Sequence, residues 1–198
     1  MAAKSFHPLV LQESWVLDAV VNSLDTSSYA SAVVSKHFVR NSRSADGITA
    51  VVRVLQFLKV APTGGITAVL TDRTHKILAR FTVDAVRSFE RDYCQRITLN
   101  TVNSLFVLKS AHLQITTKQE LIKDYGNSFN TRSSILVLNV DACDVFLRDQ
   151  VKYDAKVDKE LVFVYNDAVF NKRLVKPPFD EFSVNGILAE EYDDMVSI

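Results

Sequence analysis

The spacing of apolar and polar residues divides the chain into a series of elements. From Leu9 to Leu24 there is no Gly or Pro, and the pattern predicts a helix. At about 100° per residue, Leu9, Val16, Val20, Leu24, Leu17 and Val21 share one broad face, with Ser14, Asp18 and Asn22 opposite. On that wheel Trp15 falls beside the polar sector, roughly 180° from the apolar centre. Its ring is then either capped by another part of the fold or offered to a partner. Asp25 to Gly47, rich in Ser, reads as a long loop with one short element near Ala30 to Phe38.

A β-rich stretch follows from Gly47 to Val60, long enough to bend and serve two sheet faces. Ala61 to Gly65 is a turn, Ile66 to Thr71 a strand, Asp72 to His75 a turn and Lys76 to Phe81 a third strand, together an antiparallel meander. Thr82 is a good N-cap for a helix on which Ala85, Val86, Phe89 and Tyr93 recur at helical spacing, ending near Cys94. Ser104 to Thr116 predicts a fourth strand and Ile135 to Val140 a fifth. Between them Lys118 to Arg132 reads as a polar loop with at most a helical turn, and Asp141 is expected to cap a short helix through Arg148. The order of three strands, a helix and two strands is that of the OB-fold, a five-stranded, partly open barrel. An SH3-like barrel would lack the helix, and a ferredoxin-like fold would place one after its first strand.

At 198 residues and 47% hydrophobic, the chain suits one packed domain. That domain is expected over residues 1–170, including the apolar patch Leu161 to Tyr165. Residues 171–198 read as a loosely ordered acidic tail, with Asp180, Glu181, Glu190, Glu191, Asp193 and Asp194 against Lys172, Arg173 and Lys176. The 23 basic and 23 acidic side chains cancel, which disfavours a dedicated duplex binder. Cys94 and Cys143 cannot build a disulfide framework and read as buried thiols of a reducing compartment. Met1 to Trp15 carries one lysine and no apolar core of a leader, no apolar run approaches the ~20 residues a membrane helix needs, and no Asn-x-Ser/Thr sequon occurs. A nuclear or cytosolic protein, not a membrane one, is expected.

Recognisable catalytic chemistry is scarce. There is no phosphate-binding GxxxxGK[ST] loop, no GxGxxG and no HExxH, and His7, His37, His75 and His112 lack metal-ligand spacing. No enzyme and no cofactor is expected. OB barrels also bind single-stranded nucleic acid through a basic groove and stacking aromatics. Here Arg53, Lys59, Arg73, Lys76 and Arg80 are the candidate basic groups, but Phe57 and Phe81 read as core. Protein recognition is left by elimination.

The strings His75-Lys-Ile-Leu-Ala-Arg-Phe81 and Ser88-Phe-Glu-Arg-Asp-Tyr-Cys-Gln-Arg-Ile-Thr98 add a second line of inference, continued by Thr101-x-Asn103, Val137-Leu-Asn-Val140 and Asp149-Gln-Val151. With Trp15 in Glu-Ser-Trp-Val, they resemble the regulatory-subunit family of budding-yeast telomerase, the third "ever shorter telomeres" protein. The resemblance covers roughly Trp15 to Val151 and is densest from Asp72 to Leu108. It implies an OB-fold without enzymatic activity, similar to the OB domain of the mammalian shelterin subunit that recruits telomerase. The implied partners are the N-terminal domain of the telomerase reverse transcriptase and a second telomerase accessory subunit. Contact with telomerase RNA would be indirect, binding of single-stranded telomeric DNA weak or absent, and the location the nucleus, at chromosome ends.

The implied partner surface carries Trp15, Glu90, Arg96, Thr98, Thr101, Asn103, Asp149 and Val151. Such a mixture of Arg, hydroxyls, amide and aromatic suits an interface hot spot. Structural roles compete with this one. Thr98 and Thr101 are also β-formers, Arg96 can pair with Glu90 or Asp92, Asn103 can cap a turn, and Trp15 can staple the helix to the barrel. If Thr101 and Asn103 serve only the interface, truncating either to Ala leaves stability within about ±0.5 kcal/mol. Two positions depart from the family pattern. Gln56 stands where a lysine is expected to pair with the acid aligned to Asp72, so Asp72 either lacks that structural ion pair or opens its own turn. Asn100 stands where an acidic residue is expected.

Overall fold

A computed structural model describes residues 14–26, 39–40, 50–126, 135–147 and 160–174. The meander forms as its turns dictate: β2 (Val51–Val60) pairs antiparallel with β3 (Ile66–Thr71), and β3 with β4 (His75–Phe81). In the first turn Gly64 takes φ +99°, a left-handed conformation that costs a glycine little. Its N–H donates to Ala61 O at 2.8 Å.

Helix α1 (Val16–Thr26) precedes the meander, and the two-residue strand β1 (Val39–Arg40) lies between them. The short element expected near Ala30 to Phe38 lies outside the described residues. Helix α2 (Val83–Tyr93) starts where the sequence places it, with the Thr82 hydroxyl accepting from Ala85 N and Cys94 ending it at φ 50°. Its Ala85, Val86 and Phe89 are buried. Phe89 packs on Phe106 with ring centroids 5.7 Å apart, and Phe106 on Phe81 at 6.1 Å.

Two long strands close the barrel. β5 (Leu105–Thr116) pairs antiparallel along its length with β6 (Ile135–Leu147), and β6 pairs parallel with β4 at Ala79 to Phe81. The first residues of β5 pair with the start of β2. Five strands in the order β5-β2-β3-β4-β6, with β6 returning to β5, make the closed barrel of an OB-fold. β1 takes the stretch of β5 edge beyond β2, at Ala111 and Ser110. The bend expected of the first long strand is present, since β2 serves both β3 and β5 and carries two register shifts.

Two expectations are corrected, and the role of a third stretch is specified. The stretch after Thr117 contains a helix, α3 (Lys118–Tyr125), closed by a capping box in which Thr117 and Glu120 satisfy each other's backbone N–H. No helix begins at Asp141: β6 continues to Leu147, and the Asp141 carboxylate pairs with His112 Nδ1 at 2.7 Å. The patch at Leu161 to Tyr165 is an integral part of the barrel. Strand β7 (Val162–Phe163) adds in parallel to β4, and the buried Tyr165 hydroxyl donates to Leu136 O and accepts from Leu78 N. Helix α4 (Ala168–Leu174) buries Phe170. Residues 175–198 lie outside the described residues.

Candidate partner-binding surface

Asp72 is fully buried at the β3–β4 turn, and its carboxylate organises three segments. Oδ1 accepts from the backbone N–H groups of Thr74 (2.7 Å) and His75 (2.8 Å), an Asx-type turn. Oδ2 accepts from the backbone N–H groups of Trp15 and Val16, both at 2.8 Å. These are leading donors of α1, which a helix cannot satisfy from within itself. A carboxylate there also complements the positive end of the helix. The turn role expected for Asp72 is present, and joined to it is a capping role in trans that sequence reading missed. The fully buried Arg53 on β2 lies opposite Thr71, the residue before Asp72.

The same turn gathers other segments. The Thr74 hydroxyl bonds Ser14 Oγ and sits 2.9 Å from His75 Nδ1, while His75 Nε2 faces Asp167 Oδ2 at 3.4 Å. The backbone N–H of Val169, and then His75, hold the Asp167 carboxyl below its usual range against the opposing effect of its desolvation.

Trp15 is capped rather than offered. It is 2% exposed, and its indole Nε1–H donates to Val51 O at 3.1 Å. The reason is positional: the described helix begins at Val16, so Trp15 stands ahead of the regular 100° progression on which its polar placement relied.

The connection from α2 to β5 brings Arg96, Thr98, Thr101 and Asn103 together, with Glu90 one turn earlier on α2. Ile97 is buried as its peg. The Thr101 hydroxyl donates to Thr98 O at 2.7 Å and accepts from Thr98 N at 3.2 Å, and Thr101 itself is 4% exposed. Asn103 adopts φ 65°, a conformation that Asn tolerates better than most residues, and its N–H donates to Val54 O at 2.7 Å. The Thr101 side chain thus braces the turn itself, while Asn103 occupies a left-handed position within it, so each has a structural role beside any display to a partner. Arg96, Thr98 and Asn100 are exposed on this braced turn, and Glu90 and Asn103 are half-buried. Asp92 has Arg91 at 3.1 Å. Asp149 and Val151 lie outside the described residues.

Three of the basic groups weighed for a nucleic-acid groove are engaged within the fold. Arg80 pairs with Asp124 of α3, and Lys59 Nζ donates to Lys123 O at 2.7 Å. Lys76 Nζ stands 5.4 Å from the centre of the Phe163 ring. Arg53 is buried, and Arg73 is exposed on the β3–β4 turn. Among the described residues no helix is long and apolar enough to cross a membrane.

The barrel and its flanking helices are shared with other proteins. The family model described as Shelterin complex subunit, TPP1/ACD, matches residues 12–161. Telomere replication protein EST3 of Debaryomyces hansenii is 31% identical over 198 residues, covering 97% of each chain. EST3 of Candida albicans is 31% identical over 180 residues, covering 88% of this chain and 84% of the relative. The solved Est3 telomerase subunit of the yeast Hansenula polymorpha shares the fold with a TM-score of 0.60 at 21% identity, covering 91% of this chain and 92% of that one. The chain belongs to the telomere replication protein EST3 family, within the TPP1/ACD class of OB-fold subunits.

Proposed function

We propose that this chain is a non-catalytic regulatory subunit of the telomerase holoenzyme, an OB-fold adaptor acting in the nucleus at chromosome ends. Family membership over nearly the whole chain carries this reading. Its partners are the N-terminal domain of the telomerase reverse transcriptase and a second accessory subunit, with the RNA reached only through them. The partner surface is the α2–β5 connection, with Arg96, Thr98 and Asn103 flanked by Glu90. The resemblance to the family adds Asp149 and Val151 to it. A turn braced by its own hydrogen bonds supports such a role, because a preorganised surface loses little entropy on docking. An adaptor of this kind needs no chemistry of its own. Holding the enzyme near its substrate raises the effective concentration, up to about millimolar for short tethers.

The test is a titration of the full chain against the reverse transcriptase's N-terminal domain, with telomeric single-stranded DNA in parallel. Arg96→Ala and Arg96→Glu are the informative variants, because that side chain is exposed. The expected result is weakened protein binding, unchanged melting and little DNA binding. Tight, steeply salt-dependent DNA binding with no response to the protein would overturn the adaptor reading in favour of a single-strand binder.

A further inference from the structure

Trp15 was the expected aromatic of the partner surface, and its burial leaves that place empty. Another aromatic lies at the same end of the barrel. Where β5 meets β6, Leu105 pairs with Leu147 but Phe106 pairs with Val145, so Phe146 is the extra residue of a β-bulge. Bulges redirect side chains out of the regular alternation. Phe146 is 48% exposed, whereas Phe81, Phe89 and Phe106 are all buried.

Its surroundings are those of the proposed surface. Adjacent strands lie about 4.8 Å apart and rise about 3.3 Å per residue, so the Phe146 backbone is within roughly 10 Å of Asn103, two residues before Leu105. The end of α2 reaches the bulge as well, because the Tyr93 hydroxyl accepts from Val145 N at 3.3 Å. Arg96 follows three residues later. The segments that meet there, α2, its connection to β5 and the β5–β6 pair, carry charges of both signs: Glu90, Asp92 and Asp144, and Arg91, Arg96 and Lys109, with Asp144 and Lys109 paired. A nucleic-acid strand would need a cationic surround. A protein needs only an apolar pocket with a mixed polar rim.

We propose that Phe146 is the aromatic anchor of the partner surface, inserting into an apolar pocket of a folded protein partner whose rim supplies hydrogen-bond acceptors to Arg96. The inference rests on the adaptor reading and adds the residue that supplies its apolar contact. About half of a phenyl side chain's 150–250 Å² stays accessible, and sealing it should be worth at least about 20-fold in affinity.

The test measures binding of the full chain to telomerase assembled without this subunit, using wild type, Phe146→Ala and Phe146→Lys, with thermal melting of each and telomeric single-stranded DNA in parallel. Both variants are expected to bind at least about 20-fold more weakly and to melt like wild type. The lysine variant, easily tolerated at an exposed position, separates binding from folding. Wild-type affinity in both variants overturns the anchor and leaves the adaptor reading standing. No binding by wild type overturns both. Loss of DNA binding with protein binding intact overturns the anchor in favour of a base-stacking platform.

Discussion

Replacing Asp72 with Ala tests the central device of this fold. The substitution removes a fully buried carboxylate and leaves four backbone N–H groups without their acceptor, those of Trp15, Val16, Thr74 and His75. Losing a helix cap costs about 1 kcal/mol, with a range of about 0.5–2. The Asx-type turn loses two further bonds to a charged acceptor, each worth about 1.5–3 kcal/mol before water recovers part of it. A total of about 3 kcal/mol follows, near 6–12 °C in Tm for a domain of this size. Asp72→Asn should recover less than half, because one amide oxygen cannot serve two pairs of donors on opposite sides and its NH₂ group faces donors. Thermal melting gives the size of the effect, and amide exchange at Trp15 and Val16 locates it. A Tm change below about 2 °C for Asp72→Ala, with exchange at those two amides unchanged, would refute the argument that this carboxylate holds α1 to the barrel.

Other substitutions probe individual contacts. Thr101→Ala should destabilise by about 1–2 kcal/mol through loss of a nearly buried hydroxyl bonded to both the N–H and C=O of Thr98, and Thr101→Ser should restore most of it, as urea unfolding will show. Burial pushes the Cys143 thiol up to about 12, while Cys94 is exposed. A disulfide reagent at pH 8 should therefore titrate one thiol in the native protein and the second only after denaturation. The backbone N–H of Thr117, and then its hydroxyl, hold the Glu120 carboxyl below its ordinary 4.5. A depressed carboxyl stabilises the fold above its unfolded pKa and loses that contribution as pH falls through the folded value. The melting gap between wild type and Glu120→Ala should thus be full above about pH 5 and close in acid.

Much of this architecture can be read from the chain because its signals are local. The meander declares itself in alternating apolar runs and tight turns, and Thr82 followed by Ala85, Val86 and Phe89 marks α2 at both its cap and its buried face. Helix α3 was equally legible in principle. Thr117-Lys-Gln-Glu120 is a capping-box sequence, masked by the polarity of the stretch around it. The extension of β6 was not legible. Asp141 looks like a cap, and only its pairing with His112 across the strands shows it to be a strand residue. Trp15 and Asp72 show the limit most clearly. Fifty-seven residues separate them, and no local period shows that one supplies the N–H and the other the acceptor. Exposure was no more accessible, since the same Thr-x-Asn string would look alike whether its hydroxyl faced a partner or its own turn.

The β3–β4 turn also shapes the order in which the molecule assembles. The Trp15–Asp72 contact closes a span of 57 residues and the His75–Asp167 contact one of 92, yet going from the shorter loop to the longer adds only about 0.4 kcal/mol of closure entropy. Both contacts are non-local, whereas the hairpin that carries Asp72 and His75 is local and can form first. A hairpin made early then serves as the landing point for two segments that arrive late from opposite ends of the chain. Contacts made after the rate-limiting barrier slow unfolding without hastening folding. The clasp is therefore expected to act as a kinetic latch, lengthening the lifetime of the assembled barrel while leaving the speed of its formation to the meander.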